Sequence, residues 1–296
     1  MRKSVCVGLV FGLFSFLFSP LGAEYLPEAR PLNKRSSENL ILMTVPKSGT
    51  HLMAKLIYLM TGVKPVSCYS LFGAEQNIKF PQVDQRHFNN KVKRYFNRNT
   101  VVYDHFHFAD LFRKYISNCD RIGRQASKVA LLIRDPRDIF VSLTFYQYAE
   151  IQQAIVGCPS FDEMLLFVIQ NSFAKNSSVF DIPWHINKLY EWIDQPNTAF
   201  FRFEELCGPN GGGSREAQFA AFRRLGRLLS IELTDRECIQ MSKELFGKSK
   251  QKISHTFRSG KIGSWKEHFK EEHIAVFKQL YGEVLIKLGY EDDYDW

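Results

Sequence analysis

The loop Pro46-Lys47-Ser48-Gly49-Thr50 lies between an apolar run and a segment with helical character. Backbone N–H groups at a helix N-terminus point towards an anion, and the helix dipole favours negative charge there. Gly49 lets the backbone approach closely, and Lys47 adds a positive charge. The hydroxyls of Ser48 and Thr50 can donate hydrogen bonds. We predict a phosphate-binding loop, with an ordinary strand-to-helix turn as the alternative, because the GxxxxGK[ST] pattern of nucleoside triphosphatases is absent.

A second charged stretch runs from Arg134 to Ser142, with the sequence RDPRDIFVS. Pro136 and Asp138 are typical of the first turn of a helix, so Arg134 would end a strand. The carboxyl ends of strands are where α/β sheets bind ligands, and Arg can grip a phosphate with two N–H groups at once. We predict an anion contact at Arg134, with a surface Arg/Asp network as the alternative.

Two further features could take part in chemistry on an anion. The stretch 257–266 holds two glycines and three cations around Trp265 and could close over a ligand, or be a solvated loop. His105 and His107 end another apolar run. Imidazole titrates near neutral pH and can accept a proton from an attacking group, although a histidine at a strand end is more often structural.

Strands and helices alternate along the chain from residue 40 onward, and this pattern predicts a parallel sheet covered on both faces. The fold class expected is α/β, a single P-loop-like domain with a central parallel sheet flanked by helices on both faces. The expected strands span 40–45, 100–106, 128–133 and 198–203. The expected helices span 50–61, 138–151, 161–172, 183–193 and 215–229, the last with Ser214 as its N-cap.

Composition narrows the class of ligand. The chain of 296 residues has a formal net charge of +8, but its basic residues are spread out, which favours an anionic small ligand over nucleic acid. Six cysteines are dispersed, and no Cys/His pair has metal-ligand spacing, so we expect no metal and at most one or two disulfides.

The N-terminus has the pattern of a targeting segment. A positively charged start precedes the uncharged apolar stretch 4–18, and small residues follow. Residues 1–23 are therefore expected to be a signal peptide or an N-terminal anchor that associates with a membrane, and residues 24–38 a polar tether. We expect an exported or membrane-anchored protein, and an orientation facing the cytoplasm stays open.

Taken together, three motifs resemble the family of sulfotransferases that use 3′-phosphoadenosine 5′-phosphosulfate (PAPS). PKSGT at 46–50 matches the loop that holds the 5′-phosphosulfate, and RDPRDIFVS at 134–142 matches the segment that binds the 3′-phosphate. FRSGKIGSWKEHF at 257–269 resembles the C-terminal RKGxxGDWKxxF segment. The resemblance covers about residues 38–290 and places the sulfotransferase domain at 39–296.

The resemblance implies a role for each matching residue. Lys47 would stabilise the leaving phosphate oxygen, and His105 would be the general base, with His107 as the fallback. The implied reaction is in-line transfer of a sulfonate group from PAPS to a hydroxyl or amine, without a metal. The residues implied to contact the nucleotide are Lys47, Ser48, Gly49, Thr50, His51, Arg134, Ser142, Phe203, Arg258, Ser259 and Gly260.

Several positions depart from the family pattern. His51 stands near the place of a Trp that packs on adenine, and Ser259 replaces a Lys that contacts phosphate. Ser264 replaces an Asp, Phe203 replaces a Tyr, and Tyr103 stands where many members carry a Lys. These changes bear on nucleotide affinity more than on the transfer step.

Two other functions compete with sulfonate transfer. One is a kinase-type phosphotransferase, which would need a Gly-Lys-[Ser/Thr] loop, and the other is a non-catalytic anion- or nucleotide-binding protein on the same fold. The acceptor would be a small molecule, a lipid or a carbohydrate. Variable loops over 68–99 and 147–160 would form its pocket, and their aromatic content favours an apolar or aromatic alcohol. A homodimer stays open.

Overall fold

A central sheet of five parallel strands organises the protein. The strands are β1 (Leu40–Thr44), β2 (Val66–Ser67), β3 (Val101–Asp104), β4 (Lys128–Ile133) and β5 (Thr198–Arg202), in the order β2-β3-β1-β4-β5. β1 pairs with both β3 and β4 and lies at the centre. The computed structural model describes residues 30–36, 38–68, 71, 85–96, 100–121, 127–154, 160–172, 181–245 and 260–296.

Strand β1 is apolar from Leu40 to Met43 because both of its faces are covered. Leu40 and Leu42 belong to one buried cluster, and Ile41 and Met43 belong to another. Successive side chains of a strand point to opposite faces, so the two clusters are the two layers of core on either side of the sheet. The unbroken hydrophobic run in the sequence is thus the signature of a central parallel strand.

Helices cover both layers, which confirms the predicted α/β class. One layer is packed by α1 (Thr50–Thr61), α8 (Arg215–Leu228) and α9 (Asp235–Leu245). The other layer is packed by α2 (Gln85–Phe96), α3 (Ala109–Arg121), α4 (Pro136–Ala154), α5 (Phe161–Asn171), α6 (Ile182–Trp192) and α10 (Glu271–Lys287). A short helix α7 (Phe203–Leu206) follows β5, and Ser214 caps α8 as predicted.

The predicted strands differ from the observed ones mainly at their carboxyl ends. The strand expected over 100–106 stops at Asp104, because Phe106 has a left-handed φ of 65° that no strand can continue. The strand expected over 198–203 stops at Arg202, because Phe203 begins α7. Both strands therefore end before the side chains that the sequence places in the site.

Six of the helices and strands named above were not predicted from the sequence. Helix α2 lies within 68–99 and α4 extends through 147–154, where the sequence favours loops. Strand β2 is only two residues long, so it carries no alternation that could reveal it. The remaining elements missed are α3, α7, α9 and α10.

The N-terminal segment 1–23 lies outside the described residues. The sequence predicts a tether over 24–38, whereas Leu32 and Lys34 donate their N–H groups to carbonyls at the end of α1, so this part of the stretch lies against the domain. Within the described ranges, no helix combines the length and apolar character that crossing a membrane requires. The cysteines described, Cys68, Cys119, Cys207 and Cys238, are all buried free thiols.

The carboxyl ends of the strands meet at one edge of the sheet. Along the sheet, β2 and β3 lie on one side of β1, and β4 and β5 lie on the other. Such a reversal of strand order opens a crevice at the carboxyl edge, where α/β proteins bind ligands. Lys47 follows β1, His105 follows β3, Arg134 follows β4 and Phe203 follows β5, so the topology brings these four predicted residues to one edge.

Candidate active site

The loop between β1 and α1 is built on two left-handed residues. Lys47 has φ 65° and Gly49 has φ 98°, a conformation that is uncommon for a residue with a side chain. Gly49 is the N-cap of α1 and provides no side-chain cap. The first turn of this 12-residue helix thus directs backbone N–H groups and the positive end of its dipole towards the crevice.

Ser48 is fully buried beneath this loop. Its hydroxyl donates to the carbonyl of Val45 at 2.5 Å, and its backbone N–H donates to the same carbonyl at 3.2 Å. The expectation that the Ser48 hydroxyl donates to an anion therefore conflicts with its position. Ser48 instead closes the turn that holds Lys47 and Gly49.

Phe203 packs on the glycine of the loop. A Cβ atom added to Gly49 would lie 2.7 Å from Cδ2 of Phe203, so only glycine fits there with the ring in place. The guanidinium of Arg134 lies 4.5 Å from the centroid of the same ring. Phe203 therefore joins the loop after β1 to the residue that follows β4.

The imidazole of His105 is fixed by Thr44, the last residue of β1. Its Nδ1 atom lies 3.0 Å from the carbonyl oxygen of Thr44 and 2.8 Å from the hydroxyl of the same residue. A carbonyl oxygen only accepts hydrogen bonds, so Nδ1 carries the proton and Nε2 keeps a lone pair. The ring is thus held in the tautomer that can take up a proton at Nε2.

Burial keeps His105 neutral. Desolvation lowers the pKa of His105 from 6.5 to about 4, and the hydrogen bond to Thr44 offsets only part of this effect. The value of about 4 already includes the smaller effects of neighbouring groups, because His107 and His51 lower the pKa and Asp104 raises it. At neutral pH the imidazole is therefore an uncharged proton acceptor.

Two buried hydroxyl groups connect His105 with the loop between β1 and α1. The hydroxyl of Thr44 lies 2.8 Å from His105 Nδ1 and 2.8 Å from the hydroxyl of Thr50, the first residue of α1. Thr50 and His105 were predicted from the sequence, but Thr44, which stands at the end of an apolar run, was not. The sequence feature that could have identified Thr44 is a single polar residue at the end of a buried strand, next to the site.

His107 is held apart from this chain of hydrogen bonds. Its Nδ1 atom lies 3.6 Å from a carboxylate oxygen of Asp104, and its ring packs against Trp184 and His185. Burial would raise the pKa of Asp104, but the hydrogen bonds from His107 and from the N–H of Phe108 outweigh it, and the pKa lies below its ordinary value. His107 thus faces a carboxylate, whereas His105 faces the loop.

Arg134 is almost fully buried at the end of β4. Its Nη2 atom donates to Asp138 at 3.1 Å and to the carbonyl of Lys261 at 2.5 Å. Its Nε atom is also buried, and no partner for it is found among the residues described. A buried guanidinium N–H without a protein acceptor is suited to an anionic ligand.

Asp138 joins Arg134 to the C-terminal segment. This carboxylate is fully buried, and besides Arg134 it accepts hydrogen bonds from the N–H of Gly263, the hydroxyl of Ser264 and the N–H of Trp265, at 2.9 to 3.0 Å. Four donors satisfy a carboxylate that would otherwise be costly to bury. One of these donors is the hydroxyl of Ser264, which stands where the family pattern has an Asp.

Glu204 supports the same edge from α7. It accepts a hydrogen bond from the N–H of Asp135 at 2.8 Å and one from the hydroxyl of Tyr290 at 3.1 Å. Burial raises the pKa of Glu204 to about 7, although the bond from Asp135 acts in the opposite direction. Glu204 was not among the site residues predicted from the sequence.

The remaining predicted residues take varied positions. Lys47 is half-buried, with its Nζ atom 4.3 Å from the ring centroid of Tyr146 on α4. Ser142 is half-buried on the second turn of α4, and His51 is exposed on α1. Gly260 begins the described part of the C-terminal segment with φ 63°, while Arg258 and Ser259 lie outside the described residues. Within the described ranges, no group of three or more His, Cys, Asp or Glu could hold a metal ion.

Comparison with known proteins identifies relatives along most of the chain. A family model described as a sulfotransferase domain matches residues 37–289. The chain is 24% identical over 294 residues to cytosolic sulfotransferase 13 of Arabidopsis thaliana, which covers 90% of this chain and 82% of the plant protein. It is 23% identical over 184 residues to sulfotransferase 6B1 of Danio rerio, which covers 57% of this chain and 56% of that relative. The chain thus matches little more than half the length of the fish relative.

A solved structure shares the fold. A mouse sulfotransferase complexed with PAP superposes with a TM-score of 0.57 at 17% identity, covering 87% of this chain and 85% of the mouse chain. The family match begins before β1 and ends after α10, so it includes the whole sheet and the loops at its carboxyl edge. The chain belongs to the sulfotransferase family.

Proposed function

We propose that the protein transfers a sulfonate group from PAPS to the hydroxyl or amine of a small-molecule acceptor. One observation carries this proposal. The neutral imidazole of His105 is tied through Thr44 to Thr50, the first residue of a helix whose N-terminus suits a phosphate. A proton acceptor and an anion-binding loop thus form one hydrogen-bonded unit, as transfer of an anionic group to a hydroxyl requires.

The donor fits two anion-binding places at the carboxyl edge. The loop of Lys47 and Gly49 would hold the 5′-phosphosulfate at the N-terminus of α1. Arg134 has a buried Nε atom with no acceptor among the described residues, and with Ser142 it would hold the 3′-phosphate. The mouse relative, whose structure is described as complexed with PAP, supports a donor that leaves this nucleotide behind.

The proposed transfer step uses only side chains of the protein and needs no metal. The acceptor oxygen or nitrogen attacks the sulfur atom, a new bond to sulfur forms, and the bond from sulfur to the phosphate oxygen breaks. His105 Nε2 takes the acceptor's proton, and Lys47 stabilises the negative charge on the departing phosphate. The products are the sulfated acceptor and adenosine 3′,5′-bisphosphate (PAP).

The low pKa of His105 applies to the protein before its anionic donor binds. A pKa of about 4 in the free protein makes the imidazole a weak base. A bound sulfonate and phosphate place negative charge near the ring, and an opposite charge nearby raises the pKa of a histidine. We infer that the donor itself brings His105 towards the range in which a general base is effective.

Turnover with labelled PAPS tests the proposal. The purified protein is incubated with the donor and a panel of phenols, aliphatic alcohols, amines and sugars, and labelled product and PAP are measured. We expect product with at least one acceptor and micromolar-range binding of PAP. Binding of PAP without turnover on any acceptor would favour the non-catalytic alternative. Failure to bind PAP, with transfer from ATP instead, would favour the kinase alternative.

A further inference from the structure

The chain beyond α10 turns back onto the carboxyl edge of the sheet. Gly289, at φ 68°, makes this turn, and Nη2 of Arg202 donates to the carbonyl of Leu288 at 2.5 Å. Residues 290–296 then lie against the residues that follow β4 and β5, and they lie beyond the stretch matched by the family model, 37–289. We call Tyr290, Glu291 and Trp296 the C-terminal clamp.

Glu291 and Trp296 of the clamp enclose Arg137. This arginine is 3% exposed, and it pairs with Asp135 at 2.8 Å and with Glu291 at 2.5 Å. Its guanidinium lies 4.1 Å from the ring centroid of Trp265 and 4.5 Å from that of Trp296. The two indoles meet edge to face, with centroids 5.7 Å apart. Arg137 is therefore fixed by two carboxylates and two aromatic rings.

The residues that the clamp contacts are themselves bonded to residues around Arg134. Trp265, which Trp296 contacts, donates its N–H to Asp138, the carboxylate that also binds Arg134. Tyr290 donates its hydroxyl to Glu204, whose other oxygen accepts the N–H of Asp135. Of the contacts found for the clamp among the described residues, those to Trp265, to Arg137 and to Glu204 restrain the segment 261–265 and the turn after β4, and none of those found is to the loop of Lys47.

We propose that the C-terminal clamp positions the part of the site that binds the 3′-phosphate of the nucleotide. The inference rests on the proposed function, because it assigns the nucleotide's 3′-phosphate to Arg134. The clamp residues touch no substrate themselves. They are positioning residues, and their loss should weaken recognition of the 3′-phosphate while the 5′-phosphate loop stays intact.

Two nucleotides, tested on the intact chain, distinguish weaker binding of the 3′-phosphate from weaker binding of the whole nucleotide. PAP carries both phosphates, whereas 5′-AMP lacks the 3′-phosphate, and the dissociation constant of each is measured by calorimetry. For Trp296→Ala we expect the value for PAP to rise about 10-fold and the value for 5′-AMP to change less than about 2-fold. Glu291→Gln keeps the shape of the side chain and should raise the value for PAP about 3- to 10-fold.

Matched controls come from the same segment. Asp292→Asn removes the same charge as Glu291→Gln from an exposed neighbour, and Tyr294→Ala removes an aromatic ring that is 46% exposed. Both should bind PAP within about 2-fold of the unmodified protein. Equal weakening of PAP and 5′-AMP would indicate general loosening and overturn the inference, as would unchanged affinity for PAP. If the unmodified protein binds neither nucleotide, the proposed function itself fails.

Discussion

Two regions at the carboxyl edge of the sheet are built in different ways. The transfer side comprises Thr44, the loop 47–50 and His105, and it is held by hydroxyl groups, a neutral imidazole and backbone carbonyls. The nucleotide side comprises Arg134, Asp138, Glu204 and the segment 261–265, and it is held by buried charges. The first region spans two neighbouring strands, β1 and β3. The second joins parts of the chain more than 120 residues apart.

The difference agrees with the role proposed for each region. A proton acceptor must stay uncharged and closely placed, and short hydrogen bonds from a central strand provide this at low cost. A polyanionic ligand needs fixed positive charge, and burying a guanidinium requires carboxylates to compensate for its lost hydration. We therefore expect changes on the transfer side to alter the rate, and changes on the nucleotide side to alter affinity for the donor.

The largest expected effect would come from removing the imidazole on the transfer side. His105→Ala should lower kcat with labelled PAPS by about 10²- to 10⁴-fold, because the acceptor loses its general base. Calorimetry should find binding of PAP within about 2-fold of the unmodified protein. His107→Ala is the matched control, since it removes an imidazole that faces Asp104. If His107→Ala abolishes turnover and His105→Ala does not, the assignment of the base is wrong.

A charge-removing change on the nucleotide side should act on affinity instead. Asp138→Asn retains the shape but loses acceptors for Arg134 and the segment 261–265, so the dissociation constant for PAP should rise about 10- to 100-fold. The kcat at saturating PAPS should fall much less. Asp110 forms a salt bridge with Lys188 at the surface, so Asp110→Asn is the control and should change neither the dissociation constant for PAP nor kcat. A fall in kcat without weaker binding of PAP would erase the distinction between the two regions.

The two regions also differ in how far the sequence predicts them. Lys47, His105 and Arg134 each follow an apolar run, and parallel strands bring their carboxyl ends together, so local pattern was enough to place them at one edge. The contacts of Asp138 with residues 263–265 join parts of the chain more than 120 residues apart. No local pattern encodes such a contact. The sequence therefore predicted the charged residues but not the carboxylate that fixes them.

Misplaced details on the transfer side have a local cause. The sequence predicts strand up to residue 106, yet the left-handed φ of Phe106 ends it early, and backbone conformation of that kind has no signal in a non-glycine residue. The inward hydroxyl of Ser48 was likewise missed, because a buried and an outward serine in a turn have the same sequence. The first error concerns where a strand ends, and the second concerns the direction of a side chain.

A smaller effect is expected from the hydroxyl of Thr44. Thr44→Val keeps the shape but removes the bridge between His105 and Thr50, and one buried hydrogen bond of this kind is worth about 1 kcal/mol. We expect kcat to fall about 5- to 10-fold and the affinity for PAP to stay nearly constant. Thr44→Ser restores a hydroxyl and should recover most of the rate. Equal rates for the Val and Ser variants would show that the bridge does not orient His105.

The pH dependence of stability should also distinguish the two regions, because they should act on it in opposite directions. The pKa of His105 falls from 6.5 to about 4 on folding, so between these values the unfolded chain binds more protons, and stability is lost as pH falls. The pKa of Glu204 rises from 4.5 to about 7, so there the folded chain binds more protons, and stability is lost as pH rises.

Single variants separate these two contributions. His105→Asn should reduce the loss of stability as pH falls from 6.5 to 4. Glu204→Gln should reduce the loss of stability as pH rises from 4.5 to 7. Each change is at most about 1.4 kcal/mol per pH unit, because one proton is involved in each case. Urea unfolding across this pH range measures both slopes. A shift of the slope of unfolding free energy against pH in the same direction for both variants would contradict this prediction. His105 and Glu204 would then not respond to burial in opposite ways.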